Sequence, residues 1–119
     1  MDVNRLIENI RRRPDYDRVG MILCHNGVVR GTSRDGRRVK GLTVAVDHRR
    51  LAQILSEYMA RVGIVDIQVQ INENSYLSVG DDVMVLAVAG DIRENVIAVF
   101  SEMLDAVKST VTRKTEDYL

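Results

Sequence analysis

Four cationic side chains stand out in this sequence because of their positions. Arg30 ends an apolar segment, Arg93 falls in the first turn of an amphipathic helix, Lys108 falls in its last turn, and Lys114 follows a short polar segment. Guanidinium and ammonium groups bind phosphates and carboxylates. A lysine that is removed from water can also act as a nucleophile or a base. The set therefore predicts a site for an anionic substrate.

The helix that carries Arg93 and Lys108 limits how these two residues can cooperate. They are separated by 15 positions in the sequence, which corresponds to ~22 Å along a helix axis. One small ligand cannot contact both side chains within one chain. If both are functional, a two-fold homodimer would place the helix start of one chain beside the helix end of the other and create two equivalent pockets. The spacing therefore favours a homodimer with shared sites.

Motifs that would assign another chemistry are missing. The sequence has no P-loop, no dinucleotide glycine fingerprint and no Gly-x-Ser-x-Gly elbow. Two histidines and one cysteine without ligand spacing make a metal site unfavourable. Cys24 is interpreted as a small buried hydrophobe rather than a nucleophile, and its neighbour His25 points to the opposite face of a regular strand. We expect no metal and no cofactor.

The polar segment from Gly31 to Lys40 leaves two interpretations open. Its Asp35-Gly36 pair is a turn signal. A flexible basic loop can close over an anionic ligand, whereas a solvated hairpin tip has no such role. Together with the residue before it, the segment carries five cations, which are Arg30, Arg34, Arg37, Arg38 and Lys40.

Length and charge narrow the class of protein. A chain of 119 residues predicts one domain spanning residues 1–119. The formal net charge is zero, and few aromatic residues are available to stack bases, so nucleic-acid binding is not expected. No apolar run approaches the ~20 residues of a membrane-spanning helix, and the N-terminus lacks the apolar core of a signal peptide. The single cysteine fits a reducing cytoplasm.

Hydrophobic periodicity predicts the order helix, strand, strand, helix, strand, strand, helix. The segment Val83–Ala89 has the pattern of a strand buried on both faces. This order favours an α+β fold in which helices pack on a mainly antiparallel sheet. The predicted helices are Val3–Arg13 with Asp2 as cap, a helix from Asp47 to Val62, and a helix to Lys108 that Asp91 and Glu94 start as a capping box. The predicted strands are Gly20–Arg30, Gly41–Val46, Ile64–Asn72 with one wet face, and Val83–Ala89.

The positions of the cations and glycines resemble those of the large, catalytic subunit of molybdopterin synthase. The resemblance runs from about Gly20 to Glu116. It rests on the order and spacing of several modest motifs rather than on one strong motif. The matching positions are Gly27 to Arg30 (GVVR), Gly80-Asp81 before the apolar strand, Ile92-Arg93 at the helix start, Lys108 at the helix end, and Lys114 followed by Glu116.

The resemblance implies a fold and a reaction. The fold is an α/β-hammerhead-type α+β domain that forms a homodimer. A small, ubiquitin-like sulfur-carrier subunit inserts its Gly-Gly tail, which ends in a thiocarboxylate, into a pocket of the large subunit. Two sulfurs then pass to cyclic pyranopterin monophosphate, and the product is molybdopterin. The implied role is a step of molybdenum cofactor biosynthesis.

The resemblance also implies roles for residues at the matching positions. Lys108 is the main catalytic lysine and Lys114 assists it, while Arg30 and Arg93 hold anionic groups of the pterin. The other substrate-binding positions are Val28, Val29, Ile92, Thr115 and Glu116.

The chain also departs from the family pattern. The family's His-Arg pair is Ile92-Arg93, its lysine in the Gly-Lys-Val-Arg motif is Val28, and its longer C-terminal tail is missing. These departures leave an alternative, in which a non-catalytic homodimer keeps an anion-binding pocket and acts as a ligand-binding or regulatory module.

Overall fold

The most apolar segment of the chain forms the central strand of an antiparallel sheet. The computed structural model describes residues 1–119. In it, β5 (Asp82–Gly90) lies between β1 (Met21–Val28) and β3 (Ile64–Ile71) and is antiparallel to both. Every residue from Met84 to Gly90 is buried. The prediction of a strand covered on both faces is confirmed.

Helices cover both faces of this first sheet because β5 is apolar on each side. On one face, α2 (His48–Met59) and α3 (Arg93–Ala106) enclose the larger core, which includes Leu86 and Val88 of β5. On the other face, α1 (Val3–Arg11) packs on Val85 and Ala87. Alternate residues of one strand therefore fill two separate cores, as the two-residue period of a strand requires.

A second antiparallel sheet stands beside the first. Its central strand β2 (Val39–Val46) pairs with β4 (Leu77–Ser78) on one edge and β6 (Thr112–Tyr118) on the other. The predicted α+β class with antiparallel pairing is confirmed, but the strands form two sheets. The sequence pattern predicts neither β4 nor β6, because β4 has only two residues and β6 shows no alternation of apolar and polar residues.

Two of the three predicted helix caps are confirmed. The carboxylates of Asp2 and Asp47 accept hydrogen bonds from the backbone N–H groups of Asn4 and Arg50, both at 3.0 Å. The capping box at α3 is wrong. Asp91 instead accepts from the Ile92 N–H and the Asn95 side-chain amide, so the residue at the N-cap position of α3 is Ile92, which has no capping side chain.

The face of β3 that is predicted to be wet is partly covered. Asp66 is only 6% exposed, because the chain from α1 to β1 packs over it. Its carboxylate accepts hydrogen bonds from the Ile67 N–H and the Gln68 amide and lies 3.5 Å from the Arg13 guanidinium. A buried carboxylate needs such partners. α1 also ends at Arg11, two residues earlier than predicted.

The helix that follows β5 changes its geometry before it ends. α3 continues directly into a single π-helical turn, Val107–Val111, and β6 begins at Thr112. Val107 and Val111 are buried and anchor this turn to the larger core. The backbone N–H of Asp47 donates to the Val111 carbonyl at 2.8 Å, so the turn also joins the start of α2. None of the helices combines the length and the apolar character needed to cross a membrane.

Candidate functional site

A cavity of about 590 Å³ lies where the two sheets meet. The end of β1, the connection between β1 and β2, the π-helical turn and β6 all contribute to its wall. The floor is apolar and consists of Leu42, Val44, Ile71, Val83, Met84 and Val107. The polar and charged lining residues are His25, Arg30, Thr32, Ser33, Arg34, Lys108, Thr112, Lys114 and Glu116.

The end of β1 supplies one side of the cavity. His25, Gly27 and Val28 line it, and Arg30 follows just beyond the strand. The pairing of β1 with β5 shifts register between Gly27 and Val28, because Val28 pairs with Asp82 rather than with Val83, so β5 bulges at this point. A Cβ at Gly27 would approach the imidazole Nε2 of His25 to 2.9 Å, so a larger residue would displace this side chain from its place in the cavity wall.

The π-helical turn places Lys108 in the cavity wall. Lys108 lies on the exposed side of this turn, whose neighbouring Val107 is completely buried. Thr110 donates its hydroxyl to the Ala106 carbonyl, and Ser109 donates to the Asp105 carbonyl, so local hydrogen bonds fix the widened turn. Such π-helical turns occur often at functional sites. The π-helical turn therefore holds Lys108 in the wall of a cavity with an apolar floor.

The last strand supplies two further charges. Lys114 and Glu116 are two residues apart on β6 and both line the cavity, as expected for one face of a strand. They pair with Val44 and Leu42 of β2, which line the floor. Thr115 lies between them and pairs with Thr43, and it does not line the cavity.

The charges of the cavity suit an anion. Four cations, Arg30, Arg34, Lys108 and Lys114, stand against the single carboxylate of Glu116. The pKa of His25 is lowered, mainly by burial and further by the positive charge of Lys108, so this imidazole is neutral at neutral pH. In contrast, Cys24 packs against the α1 core on the other side of β1, and burial raises the pKa of its thiol. The thiol therefore has little of the thiolate character that a nucleophile needs.

The structure brings some of the predicted site residues together and leaves others apart. Val28, Arg30, Lys108, Lys114 and Glu116 share the cavity.

Four predicted positions lie outside it. Val29 is buried in the small core between β2 and β4, and its N–H and carbonyl groups bond to Asp81 and Gly80. Thr115 faces away, as described. Ile92 and Arg93 lie at the start of α3, at the opposite end of the helix from Lys108, and the Arg93 side chain is 79% exposed.

Sequence reasoning misses His25 and Arg34 as cavity residues. The strand pattern places His25 on the correct face, opposite Cys24, but no signal indicates what covers that face. The strand's glycine is the available clue, because Gly27 lies two residues from His25 on the same face. Arg34 is one of five cations in a polar segment, and nothing in the sequence distinguishes it from the others.

Comparison with solved structures places the fold among proteins of molybdopterin biosynthesis. Molybdopterin synthase from Staphylococcus aureus is similar with a TM-score of 0.72 and 18% identity, covering 91% of this chain and 85% of that chain. The molybdopterin cofactor biosynthesis protein E from Burkholderia multivorans has a TM-score of 0.78 and 23% identity, covering 100% and 84%. At these identities the likeness concerns the fold.

A third similar structure is a complex. It contains subunits 1 and 2 of the molybdopterin-converting factor from Helicobacter pylori, with a TM-score of 0.74, 14% identity, and coverage of 98% of this chain and 78% of that chain. No curated protein matches the chain.

The family comparison covers most of the sequence. The model of the MoaE protein family matches residues 1–110, which include α1, both central strands, all of α3 and Lys108. The likeness of sequence and the likeness of fold thus agree, and this chain belongs to the MoaE family.

Proposed function

We propose that this protein is the large subunit of a molybdopterin synthase and acts in molybdenum cofactor biosynthesis. Membership of the MoaE family supports this function, and so does the fold that the chain shares with molybdopterin synthase structures. One observation carries the proposal. Arg30, Lys108 and Lys114 come from three separate elements and converge on one cavity with an apolar floor.

The proposed reaction moves sulfur from a thiocarboxylate to cyclic pyranopterin monophosphate. Both reactants are anions, and cations at the wall of a partly apolar cavity stabilise such charges more strongly than water-exposed cations do. Arg30 has the planar fork that binds phosphate oxygens. Lys108 would hold the thiocarboxylate and balance the charge that develops during transfer. Lys114, next to Glu116 on β6, would assist in binding or proton transfer.

We further propose a ubiquitin-like small subunit as the sulfur donor. The H. pylori neighbour is a complex of two subunits of the converting factor, which supports a small-subunit partner of the same kind here. A tail that ends in Gly-Gly is thin enough to reach Lys108 between the neighbouring side chains, because glycine has no side chain of its own. The proposed place of action is the cytoplasm.

We also propose that two copies of the chain share each site. Arg93 does not line the cavity that holds Lys108 in the same chain, so if both residues act in one site, Arg93 must reach the cavity of another copy. Two large apolar side chains lie beside it without cover, since Ile92 is 53% exposed and Ile97 is 49% exposed. Exposed apolar side chains around a functional cation suit a surface that a second copy covers. A two-fold axis would then bring Arg93 to the partner's cavity.

The test is a reconstitution with matched lysine variants. The protein is mixed with a thiocarboxylated small subunit and cyclic pyranopterin monophosphate, and molybdopterin is quantified. We expect product with the native chain and at least a hundredfold less with Lys108→Ala, since the loss of a positioned charge costs about 3 kcal/mol of transition-state stabilisation.

The control is Lys40→Ala. Lys40 is the only one of the chain's three lysines that does not line the cavity, so this variant should keep its activity. If the native chain gave no product while an authentic large subunit did, the synthase proposal would fail. The result would then favour the non-catalytic homodimer with an anion-binding pocket, which no observation favours at present.

A further inference from the structure

The basic segment between β1 and β2 is an ordered hairpin rather than a flexible loop. We call residues 31–39 the basic hairpin. Its two sides are joined by backbone hydrogen bonds from Val39 to Gly31 at 2.9 Å and from Ser33 to Arg37 at 2.8 Å. Its turn is made by Gly36, which has a φ of 86°. The buried hydroxyl of Ser33 bonds to the Asp35 carboxylate and accepts from the Arg37 N–H. The hairpin is therefore a fixed part of the cavity wall.

The three arginines of the basic hairpin have different surroundings. Arg34 lines the cavity, and no ion pair involves its guanidinium. The guanidinium of Arg37 lies over the Tyr118 ring, 3.6 Å from the ring centroid. The Arg38 side chain neither lines the cavity nor contacts the Tyr118 ring. Its backbone carbonyl accepts a hydrogen bond from the Leu119 N–H at 3.1 Å. Only Arg34 thus combines access to the cavity with a free guanidinium.

We propose that Arg34 is a further anion-binding residue of the cavity and that Tyr118 is the positioning residue that holds it there through Arg37. Tyr118 ends β6, the strand that also carries Lys114 and Glu116. The cation–π contact between Arg37 and Tyr118 ties the hairpin to that strand. Arg34 and Lys114 are thereby held at the wall of the same cavity.

The ligand class follows from the charges. Arg30 and Arg34 offer two guanidinium groups from adjoining parts of one wall. The Nε of Arg30 donates to the Thr32 carbonyl at 2.8 Å, and its two Nη groups, like the fork of Arg34, can donate two parallel hydrogen bonds to a phosphate. The ammonium groups of Lys108 and Lys114 add positive charge, but they do not orient the ligand as a planar guanidinium does. This arrangement suits a phosphate group on a larger, partly apolar ligand that covers the floor. In naming a phosphorylated substrate, the inference rests on the proposed function, but anion binding by Arg34 does not.

The first experiment compares Arg34→Ala with Arg38→Ala. Both changes remove one exposed arginine from the basic hairpin, and only the first removes a cavity residue. Binding of inorganic pyrophosphate is followed by NMR titration or calorimetry. We expect about a tenfold loss of affinity for Arg34→Ala, the size of one charge-assisted hydrogen bond, and less than a twofold change for Arg38→Ala. Equal effects would reduce Arg34 to a general surface charge, and no effect would overturn its role.

Pyrophosphate binding requires neither the small subunit nor turnover. A chain that binds pyrophosphate through Arg34 but makes no molybdopterin would therefore contradict the synthase proposal alone. A chain that makes molybdopterin with unchanged affinity in Arg34→Ala would contradict the present inference alone.

The second experiment is a double-mutant cycle that separates positioning from general stability. Tyr118→Ala should weaken pyrophosphate binding about as much as Arg34→Ala. Tyr118→Phe should retain most of the affinity, because it keeps the ring that Arg37 contacts and loses only the hydroxyl that donates to the Glu116 carboxylate at 3.3 Å. In the Arg34→Ala background, Tyr118→Ala should have no further effect, since its action depends on Arg34. Additive losses would overturn the positioning role. If Tyr118→Ala does not fold, Arg37→Leu removes the other half of the contact and must give the same pattern.

Discussion

His25 and Lys108 face the same cavity, from β1 and from the π-helical turn, and the lysine's positive charge acts on the imidazole. Burial is the larger cause of the lowered pKa of His25, and Lys108 adds to it. The imidazole is therefore neutral at neutral pH before an anion binds. A neutral imidazole beside a lysine can accept a proton, which a second fixed cation could not do.

The first prediction concerns how stability depends on pH. Because the pKa of His25 is lower in the folded protein than the ordinary value of 6.5, the unfolded chain binds more protons as the pH falls below 6.5. The free energy of unfolding must then decrease on acidification. In His25→Gln this decrease should be smaller. Urea unfolding at pH values between 7 and 4.5 measures it.

The carboxylates begin to take up protons at the acidic limit of this range, and the comparison with His25→Gln separates their effect on stability from that of the histidine. The pKa values of Asp15, Asp91 and Glu102 are also lowered, in each case first by a side-chain hydrogen bond. Their stabilising effect is fully present well above their ordinary values, of which the highest is 4.5, and is lost as the pH falls through those values and below them. A native chain whose stability did not change between pH 6.5 and 4.5 would show that the pKa of His25 is not depressed.

The second prediction tests the shared site by complementation. If Arg93 of one subunit serves the cavity that holds Lys108 of its partner, Arg93→Ala and Lys108→Ala are each inactive as homodimers. Mixed dimers of the two variants keep one intact site. Random reassortment should therefore restore about a quarter of native activity, because half of the dimers are mixed and half of their sites are intact.

Two controls accompany the complementation assay. The mixture is assayed before and after subunit exchange, and light scattering measures the size of each variant. A mixture that stays inactive after proven exchange would contradict the sharing, because it would mean that no site combines Arg93 of one subunit with Lys108 of its partner. A monomer at micromolar concentration would remove the shared-site proposal altogether.

Parts of the fold are predictable because local chemistry determines them. The apolar run Val83–Ala89 can avoid water only in an element that is covered on both faces, and it forms most of β5. Asp2 and Asp47 precede amphipathic segments and cap the helices that follow. In these cases the pattern within about ten residues decides the structure, so the sequence alone is sufficient to predict the element.

The other features of the fold and of the site depend on contacts with residues that are distant in sequence. β6 is polar throughout, and its pairing with β2, more than 60 residues away, makes it a strand. Asp91 has the residue type of a cap, but its carboxylate is occupied by Asn95 and the Ile92 N–H. In the site, the sequence predicts a set of four cations, of which Arg30, Lys108 and Lys114 line the cavity and Arg93 does not. Arg34 is singled out only by the position of the basic hairpin against the cavity.

The third prediction concerns the central strand. Leu86 is completely buried between β1, β3 and the helices, so Leu86→Ala should lower the free energy of unfolding by about 2–5 kcal/mol through lost burial and an unfilled cavity. Val62→Ala is the control. Val62 is 83% exposed, and its truncation should change stability by no more than about 0.5 kcal/mol. Urea denaturation compares them, and similar values would contradict the burial of Leu86.

The fourth prediction separates backbone strain from steric conflict at two glycines. Gly63 precedes β3 with a φ of +80°, and a Cβ there would collide with an Asp91 carboxylate oxygen and the Asn95 amide nitrogen. Gly36 has a similar φ of +86°, but a Cβ at Gly36 would have no other atom within 4 Å. Gly36→Ala should therefore cost only the left-handed backbone penalty of about 1–2 kcal/mol.

Gly63→Ala should cost clearly more than Gly36→Ala, because the methyl group must also break the hydrogen bond between Asp91 and Asn95 that fixes the start of α3. Thermal unfolding of both variants gives the difference directly. That difference should shrink in an Asn95→Ala background, where the amide is no longer there to be displaced. Equal losses for the two glycines would mean that the Asp91 and Asn95 side chains move aside without cost, and the hydrogen bond between them would then not be what fixes the start of α3.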